Sequence, residues 1–414
     1  MQMKRTMISA AIVAALTGSV CAADLTPVPS ANAKIFGVTS PTAVVGTVFS
    51  GEDDESKHIP KLDHAFVIVM ENHSYNQIIG NPAAPYITSY SQTANLAKNY
   101  FGVGHPSLTN YLEIVGGSNF DVVNDNSPDW HNTSCVSGLA SSTPQLEGSP
   151  NTCPIAGSGY DAPTPEVDNS NEGTPTAPIY NDPLPAAYTI GKTIANQLVE
   201  AGLSWKSYQE NVPVFGADGV NWSDGLLTDA TPSPVHGVPH LYAVKHNPFV
   251  YFADVQAGTD PNNSLQNTVG FDRLYADLSG DHVPNLAFIA PNQCHDQHGR
   301  GTGEVGPGCS DDAGTIAQGD ATVKALVAAI KSSAVWKHGQ NAIVVVWDEN
   351  DYGSEPNQVV TIVDTNYGVK GVSSNVKYNH FSLLKTLESG FGLDYLNHAA
   401  DKNVKLMSDL FAHH

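Results

Sequence analysis

The sequence predicts an α/β fold in which helices cover both faces of a mostly parallel β-sheet. Short apolar runs rich in Val, Ile and Phe recur along the chain, and segments with helical spacing of apolar residues lie between them. Uninterrupted apolar runs suit strands that are buried on both faces. Alternation of such strands with helices is typical of a parallel sheet between two helical layers.

Five apolar runs are the predicted strands of this sheet. They are HAFVIVM ending at Met70, SWKSY ending at Tyr208, NLAFIA ending at Ala290, NAIVVVW ending at Trp347 and QVVTIV ending at Val363. The apolar share of the chain, 41%, is enough for a sheet core of this size.

Two segments between these runs are predicted helices, from Lys192 to Ala201 and from Asp320 to Trp336. The second has apolar residues at the three-and-four spacing that gives a helix one buried face, at Val323, Leu326, Val327 and Ile330. The stretch around 125–185 is dense in Ser, Thr, Pro, Asn and Gly, and we expect it to be a loop-rich insertion over the sheet.

The first 23 residues have the pattern of a cleaved secretory signal, with a basic start, an apolar run and small residues at the end. Residues 24–62 are rich in Thr, Pro, Ser and Gly and predict an extended segment, so that the folded domain would occupy 63–414. We therefore expect a periplasmic or secreted protein. Cys21 leaves a lipoprotein as an alternative, although it follows Val20 where a small residue is usual.

The cysteines suggest disulfides in an exported protein. Removal of Cys21 with the signal leaves an even number, and near neighbours in sequence would pair as Cys135–Cys153 and Cys294–Cys309. A zinc-thiolate site is the alternative, but neither pair has the short spacing that such sites use.

The charge balance excludes whole classes of partner. Nineteen basic against 41 acidic side chains give a formal charge of −22, which repels nucleic acid and anionic membranes. A phosphate-bearing substrate would therefore be bound at a local site that contains a cation. The charge leaves the oligomeric state open.

Three predicted strands end at polar clusters. The clusters are Glu71, Asn72 and His73; His295, Asp296 and His298; and Asp348, Glu349, Asn350 and Asp351. The carboxyl ends of parallel strands share one edge of a sheet, so we expect these clusters to converge. Each cluster alone could be an acidic surface loop, but three together would repel one another unless a cation neutralised them. We therefore expect a divalent metal ion, with Mg, Ca, Mn and Zn all open.

A fourth segment, GVGHPSLTNYLEIVGG, carries His105, Ser107 and Asn110. Gly and Pro mark a turn, and TNYLEIV can open a helix, so Ser107 is predicted at a helix N-terminus, where free N–H groups favour phosphate. An ordinary N-cap serine is the alternative.

Six sequence blocks together resemble the phosphoesterase family that contains acid phosphatases and bacterial phospholipases C. The blocks, which occur in the order and spacing of that family, are ENHSYNQIIGNPAAPYI, GHPSLTNYL, HNPFVYF, PNQCHDQHG, VVVWDEND and YNHFSLLKTLE. The resemblance extends from about Asp63 to Leu396 and is greatest to short secreted acid phosphatases that act on phosphoinositides and small phosphate monoesters.

This resemblance implies an alkaline-phosphatase-like fold, a three-layer αβα sandwich, with a metal at the sheet edge. Glu71 and Asn72 match the metal-binding pair of the family, and Ser107 matches a nucleophile that also contacts the metal. Asp348 and Glu349 match an acidic pair that is often Asp-Asp. We also expect Asp296 to be a metal ligand or to orient His295.

Histidines in the matching blocks would carry protons or hold phosphate oxygens, although each could instead be structural. We expect His295 and His380 to be catalytic, and His380 also opens a predicted helix whose N-terminus could face an anion. The residues expected to bind substrate are His105, Asn110, His246 and His298.

The sequence thus predicts a secreted, metal-dependent hydrolase of phosphate monoesters that uses a serine nucleophile. The nearest alternative is a phospholipase C that acts on phosphodiester head groups with the same residues. A non-catalytic metal- or phosphate-binding module would not need Ser107. A carboxylester hydrolase is disfavoured because no G-x-S-x-G motif occurs in the chain.

Overall fold

The computed structural model describes residues 59–120, 122, 125, 136–137, 152–153, 191–212, 241–252, 254–255, 258–299, 309, 311–351 and 356–413. The predicted signal peptide, nearly all of the extended segment, most of the insertion and Cys135 lie outside the described residues, so the predicted Cys135–Cys153 pairing is not tested. No helix of the described part is long and apolar enough to cross a bilayer.

The strands form one nine-stranded sheet and one short two-stranded sheet, β3 with β4. They are β1 (His64–Met70), β2 (Asn95–Phe101), β3 (Val136–Ser137), β4 (Thr152–Cys153), β5 (Trp205–Gln209), β6 (Thr268–Val269), β7 (Leu286–Ala290), β8 (Asn341–Trp347), β9 (Gln358–Thr365), β10 (Ser373–Ser374) and β11 (Tyr378–Asn379). All five predicted strands are present.

The helices connect these strands. They are α1 (Tyr75–Ile78), α2 (Pro85–Thr93), α3 (Ser107–Gly116), α4 (Ile194–Glu200), α5 (Phe271–Gly280), α6 (Asp312–Ser332), α7 (His380–Phe391) and α8 (Ser408–Phe411). Short 3-10 turns occur at Val244–His246, Pro248–Tyr251, Leu265–Asn267, Val335–Lys337 and Asn397–Ala400.

The large sheet has the order β10-β2-β9-β8-β1-β7-β5-β6, and β11 pairs with β2. Strand β1 pairs in parallel with β7 and β8, and β5 pairs in parallel with β6 and β7. Strand β9 runs antiparallel to both of its neighbours, β8 and β2. The predicted α/β fold with a mostly parallel sheet is confirmed, with β9 as a reversed strand within it.

The helices lie in two layers because parallel strands joined through a helix make right-handed connections. From β5 through β7 to β8 the chain moves along the sheet in one direction, and the connecting helices are α5 and α6. From β2 to β5 it moves in the opposite direction through α3 and α4, so these helices lie on the other face. Within these layers α5 packs against α6, and α3 packs against α4 and α7. The predicted three-layer αβα arrangement is confirmed.

Strands β1 and β8 form the centre of the core. Every residue of β8 is buried, and so is every residue of β1 except His64. Each fully buried Val, Ile or Phe side chain contributes about 1.5–3 kcal/mol to folding. This apolar centre fixes the register of the two strands and therefore the positions of the residues that follow them.

Helix boundaries differ from the predicted ones because of their caps. Helix α6 begins at Asp312, before the predicted start, because the side chain of Asp311 accepts a hydrogen bond from the main-chain N–H of Gly314. It ends at Ser332, and the next residues form a 3-10 turn. Helix α4 is shorter than predicted, since Thr193 caps it from outside.

Candidate active site

The ends of β1, β7 and β8 come together at one edge of the sheet. The main-chain N–H of Glu71 donates to the carbonyl oxygen of Asp296 over 2.8 Å. Asn72 adopts a left-handed backbone conformation, φ 54°, and its N–H donates to Oδ1 of Asp348 over 3.2 Å. The structure therefore brings the three predicted polar clusters into contact.

Ser107 is the first residue of α3, and its side chain is directed into these clusters. Its Oγ lies 3.0 Å from Oε2 of Glu71 and 3.3 Å from Oε1 of Glu349. The N-cap residue of α3 is Pro106, so the alternative of an ordinary N-cap serine does not hold. Ser107 is 1% exposed and opens the helix beside two carboxylates.

Glu71, Asp348 and Glu349 form a buried acidic cluster. Burial, and then the charges of Glu71 and Glu349, raise the pKa of Asp348 well above its usual range. Burial also raises the pKa of Glu349 to about 7, although His105 opposes the shift. Burial would raise the pKa of Glu71 as well, but His246 and Lys245 outweigh it and keep that pKa below the usual range. Of these three side chains, only Glu71 is thus kept ionised by neighbouring positive charges.

His246 lies between two carboxylates. Its Nε2 is 2.8 Å from Oε1 of Glu71, and its Nδ1 is 3.1 Å from Oδ2 of Asp296. Its ring stacks on Tyr111 with centroids 5.1 Å apart. Burial lowers the pKa of His246, but the two carboxylates outweigh it and raise the pKa to about 9. His246 is therefore a buried cation that neutralises part of the cluster.

Asp296 does not orient His295, contrary to one of the two expectations for it. Its carboxylate contacts His246 and accepts a hydrogen bond from the main-chain N–H of His298 over 2.7 Å. Burial raises the pKa of Asp296 to about 6.

His295 instead contacts Glu210, which sequence reasoning missed. Its Nδ1 lies 2.8 Å from Oε1 of Glu210, and its side chain is 37% exposed. The hydrogen bond that His295 donates to Glu210 raises the pKa of His295 in spite of partial burial. His295 thus lies just after β7, which is next to β1 in the sheet. Its side chain is paired with Glu210 rather than with the residues around Ser107.

His380 is engaged on both sides of its ring. Its Nε2 donates to the carbonyl oxygen of Asp348 over 2.6 Å, and its Nδ1 accepts from the hydroxyl of Tyr100 over 3.1 Å. Burial lowers its pKa to about 4. His380 does begin a helix as predicted, but its ring faces protein groups rather than an anion site, so it positions Asp348.

His105 and Asn110 both contact Glu349. Nδ1 of His105 lies 2.8 Å from Oε2 of Glu349, and Nδ2 of Asn110 donates to the same oxygen over 3.1 Å. The Asn110 side chain also accepts hydrogen bonds from the main-chain N–H groups of Val103 and Gly104. These two residues therefore hold Glu349 and the loop before Ser107 in place.

Lys245 is the main residue of the candidate site that sequence reasoning missed. It is 3% exposed, and its Nζ lies 3.2 Å from Oγ of Ser107 and 3.3 Å from Nε2 of the half-buried His298. Burial lowers the pKa of Lys245, but Asp125 and Glu71 outweigh it and raise that pKa, so the ammonium stays charged. Burial and Lys245 lower the pKa of His298 to about 3. The available signal was its position directly before His246 in the HNPFVYF block.

The predicted Cys294–Cys309 disulfide is confirmed. Cys294 directly precedes His295, so this bond anchors the segment after β7. Across the described residues, no three His, Cys, Asp or Glu side chains are arranged so as to hold a metal ion.

Comparison with known proteins gives one family match. The family model of the Phosphoesterase family matches residues 81–394. Two relatives are a phosphatidylinositol-3-phosphatase of Mycobacterium tuberculosis, 26% identical over 83% of this chain and 81% of that protein, and a probable acid phosphatase of Kluyveromyces lactis, 23% identical over 82% of this chain and 61% of that protein.

A phosphate-repressible acid phosphatase of Penicillium chrysogenum is 24% identical over 73% of this chain. The match spans only 53% of that relative's length. Among solved structures, a protein in the alkaline phosphatase superfamily from Vibrio parahaemolyticus matches with a TM-score of 0.42 and 11% identity, over 83% of this chain and 71% of that one.

Proposed function

This chain belongs to the phosphoesterase family, and on that premise we propose that it hydrolyses phosphate monoesters with Ser107 as the nucleophile. The family and the relatives named as phosphatases support phosphate ester hydrolysis. The observation that carries the proposal is the buried Ser107 hydroxyl at the start of α3, between two carboxylates and the Lys245 ammonium.

In the first step Oγ of Ser107 attacks phosphorus, and the bond from phosphorus to the leaving-group oxygen breaks. The hydroxyl proton passes to a carboxylate, and Glu349 at 3.3 Å is a stronger base than Glu71 at 3.0 Å, because the pKa of Glu349 is raised to about 7 whereas that of Glu71 is lowered. The leaving oxygen takes up a proton as the alcohol departs. Lys245 and the free N–H groups at the start of α3 stabilise the negative charge on the phosphoryl oxygens.

In the second step water attacks the phosphoserine, and inorganic phosphate leaves. A neutral histidine beside the phosphoryl group would accept the water proton. Among the expected histidines, His298 lies beside the Lys245 ammonium, with Nε2 3.3 Å from Nζ and Nδ1 3.1 Å from the carbonyl oxygen of Gly299, so it must release Lys245 to the phosphoryl group before Nε2 can accept a proton. His246, His295 and His380 instead make their described contacts with other protein groups.

The donor chemistry of the site fits a divalent cation. Oδ2 of Asp348 and Oδ1 of Asn72 are buried and have no hydrogen-bond partner among the described residues. Burial, and then the charges of Glu71 and Glu349, raise the pKa of Asp348, and a bound cation would favour its ionised form. Although the described residues contain no preassembled group of three such ligands, we propose that Glu71, Asn72, Ser107, Asp348 and Glu349 close around the cation when it binds, while Asp296 contacts His246. A cation there would polarise the phosphoryl group and favour the ionised serine.

The test is a substrate panel on the purified full chain. We expect turnover of p-nitrophenyl phosphate to exceed that of bis(p-nitrophenyl) phosphate and of phosphatidylcholine. A chelator should abolish turnover, and one of Mg, Ca, Mn or Zn should restore it. Faster cleavage of the diesters would instead identify a phospholipase C type of activity.

The nucleophile is tested with Ser107→Ala and a matched control. Removal of a catalytic serine lowers kcat by about 10⁶-fold in a well-studied serine hydrolase, so we expect a loss of at least about 10³-fold here. Ser91→Ala removes another buried serine, on α2, and should leave turnover unchanged. Full activity in a folded Ser107→Ala protein would exclude the proposed mechanism.

A further inference from the structure

The carboxylate of Asp125 is bound at the start of α3 by two donors. Its Oδ1 accepts a hydrogen bond from the main-chain N–H of Leu108 over 3.0 Å. Its Oδ2 accepts one from Nζ of Lys245 over 3.1 Å. Each oxygen of this carboxylate is therefore held by a different group, and the two groups belong to distant parts of the chain.

Both donors are neighbours of the Ser107 hydroxyl. Leu108 is the next residue in the first turn of α3, and Nζ of Lys245 lies 3.2 Å from Oγ of Ser107. A main-chain N–H in the first turn of a helix and a lysine ammonium are the donors with which proteins commonly bind phosphate oxygens. A phosphoryl group on Oγ would need the same two donors.

We infer that the carboxylate of Asp125 occupies, in the resting protein, the position that two oxygens of the phosphoryl group take in the substrate complex. Asp125 is thus an internal anion that substrate must displace. This inference rests on the proposed function, because it concerns the phosphoryl position beside Ser107.

Charge and solvent exposure both allow the substrate phosphate to replace the Asp125 carboxylate. The Asp125 side chain is 15% exposed whereas that of Lys245 is 3% exposed, so the carboxylate lies on the solvent side of the pair. A monoester or inorganic phosphate can carry two negative charges and attracts a buried ammonium more strongly than one carboxylate does. A diester carries one charge and gains no such advantage, so the exchange favours monoesters.

The inference is tested by the affinity of the metal-supplemented full chain for inorganic phosphate, measured by titration calorimetry and as the inhibition constant against p-nitrophenyl phosphate. Asp125→Asn removes the competing charge and should bind phosphate about fivefold to tenfold more tightly. Lys245→Met should bind it at least about tenfold more weakly, and Lys245→Arg should retain most of the affinity. Asp125→Ser, which is too short to reach both donors, should also bind phosphate more tightly.

The pair of half-buried Lys206 with buried Asp277 provides the matched control, since it joins β5 to α5 and neither residue is among the contacts of Ser107 described above. Asp277→Asn should leave the affinity for phosphate unchanged. Circular dichroism would confirm that each variant is folded.

Two results would distinguish failure of this inference from failure of the proposed function. If the wild type hydrolyses monoesters but folded Asp125→Asn and Asp125→Ser bind phosphate no more tightly, the inference is overturned while the proposed function stands. If the wild type neither hydrolyses monoesters nor binds phosphate, the proposed function fails and the inference fails with it.

Discussion

Nε2 of His380 donates a hydrogen bond to the main-chain carbonyl oxygen of Asp348 over 2.6 Å. This contact joins the first residue of α7 to the residue that follows β8, and neither group is exposed to solvent. The main-chain position of Asp348 therefore depends on a helix that begins 32 residues further along the chain.

Replacement of His380 should lower both stability and turnover. His380→Ala leaves the Asp348 carbonyl and the Tyr100 hydroxyl without this partner, which costs about 1–3 kcal/mol for each unsatisfied buried group. Urea denaturation and kcat on p-nitrophenyl phosphate would measure the two effects. Tyr100→Phe is the control, because it keeps the bond to Asp348 and should lower turnover much less. Equal losses in the two variants would show that the Asp348 contact is not the important one.

Asp348→Asn should separate stability from metal binding. The raised pKa means that the metal-free folded protein keeps a proton on Asp348 that the unfolded chain loses at neutral pH, and a neutral amide avoids this cost, so the chelated protein should gain about 1 kcal/mol of stability. The same variant should lose the rise in melting temperature that a divalent ion gives the wild type. Asp320→Asn is the control, since Asp320 instead accepts hydrogen bonds from the start of α2 and its loss should destabilise both forms. A wild type that melts at one temperature with and without each ion would contradict the proposed metal site.

Glu388 should make the protein less stable as pH rises. Burial raises its pKa to about 9, so the folded protein keeps a proton that the unfolded chain loses above about 4.5. Stability should therefore fall between about pH 4.5 and 9, by at most about 1.4 kcal/mol per pH unit from this group. Glu388→Gln can still accept the hydrogen bond from Leu396 and should flatten the profile of urea midpoints against pH. Glu200→Gln, at an exposed site on α4, should leave this profile unchanged. If Glu388→Gln shows the same pH dependence as the wild type, the raised pKa of Glu388 is refuted.

The Cys294–Cys309 disulfide should contribute substantially to stability. It closes a loop with a sequence separation of 15, for which loop-closure entropy predicts about 3 kcal/mol. A Cys294→Ala/Cys309→Ala double variant should lower the urea midpoint accordingly, with a slope at least as steep as that of the wild type, because the unfolded chain is no longer held in a loop. If the double variant and the wild type unfold at the same urea concentration, the bond does not stabilise the native state.

The core of the candidate site could be predicted because strand ends are visible in sequence. Glu71, Asp296 and Asp348 each follow an apolar run, and the carboxyl ends of parallel strands share an edge. The direction of β9 could not be predicted, since an apolar run has the same pattern when it runs either way.

The partners of individual side chains were not predictable. Lysine is rarely buried, so Lys245 had no sequence signal beyond its position beside His246. The two residues share one 3-10 turn, yet Lys245 contacts Ser107 and His246 contacts Glu71. The roles of His295 and His380 depend on Glu210 and Tyr100, and these pairs form only through tertiary packing.

The place of β1 in the sheet has a consequence for synthesis of the protein. This strand leaves the ribosome first among those of the large sheet, yet its two neighbours, β7 and β8, are made much later. Both hydrogen-bonding edges of β1 therefore stay open while the intervening chain is translated, and such edges can pair with other nascent chains. Glu71 can contact His246 and Asp296, and Ser107 can contact Glu349, only when the segment through Glu349 has been added, so the candidate site cannot assemble before that point in synthesis.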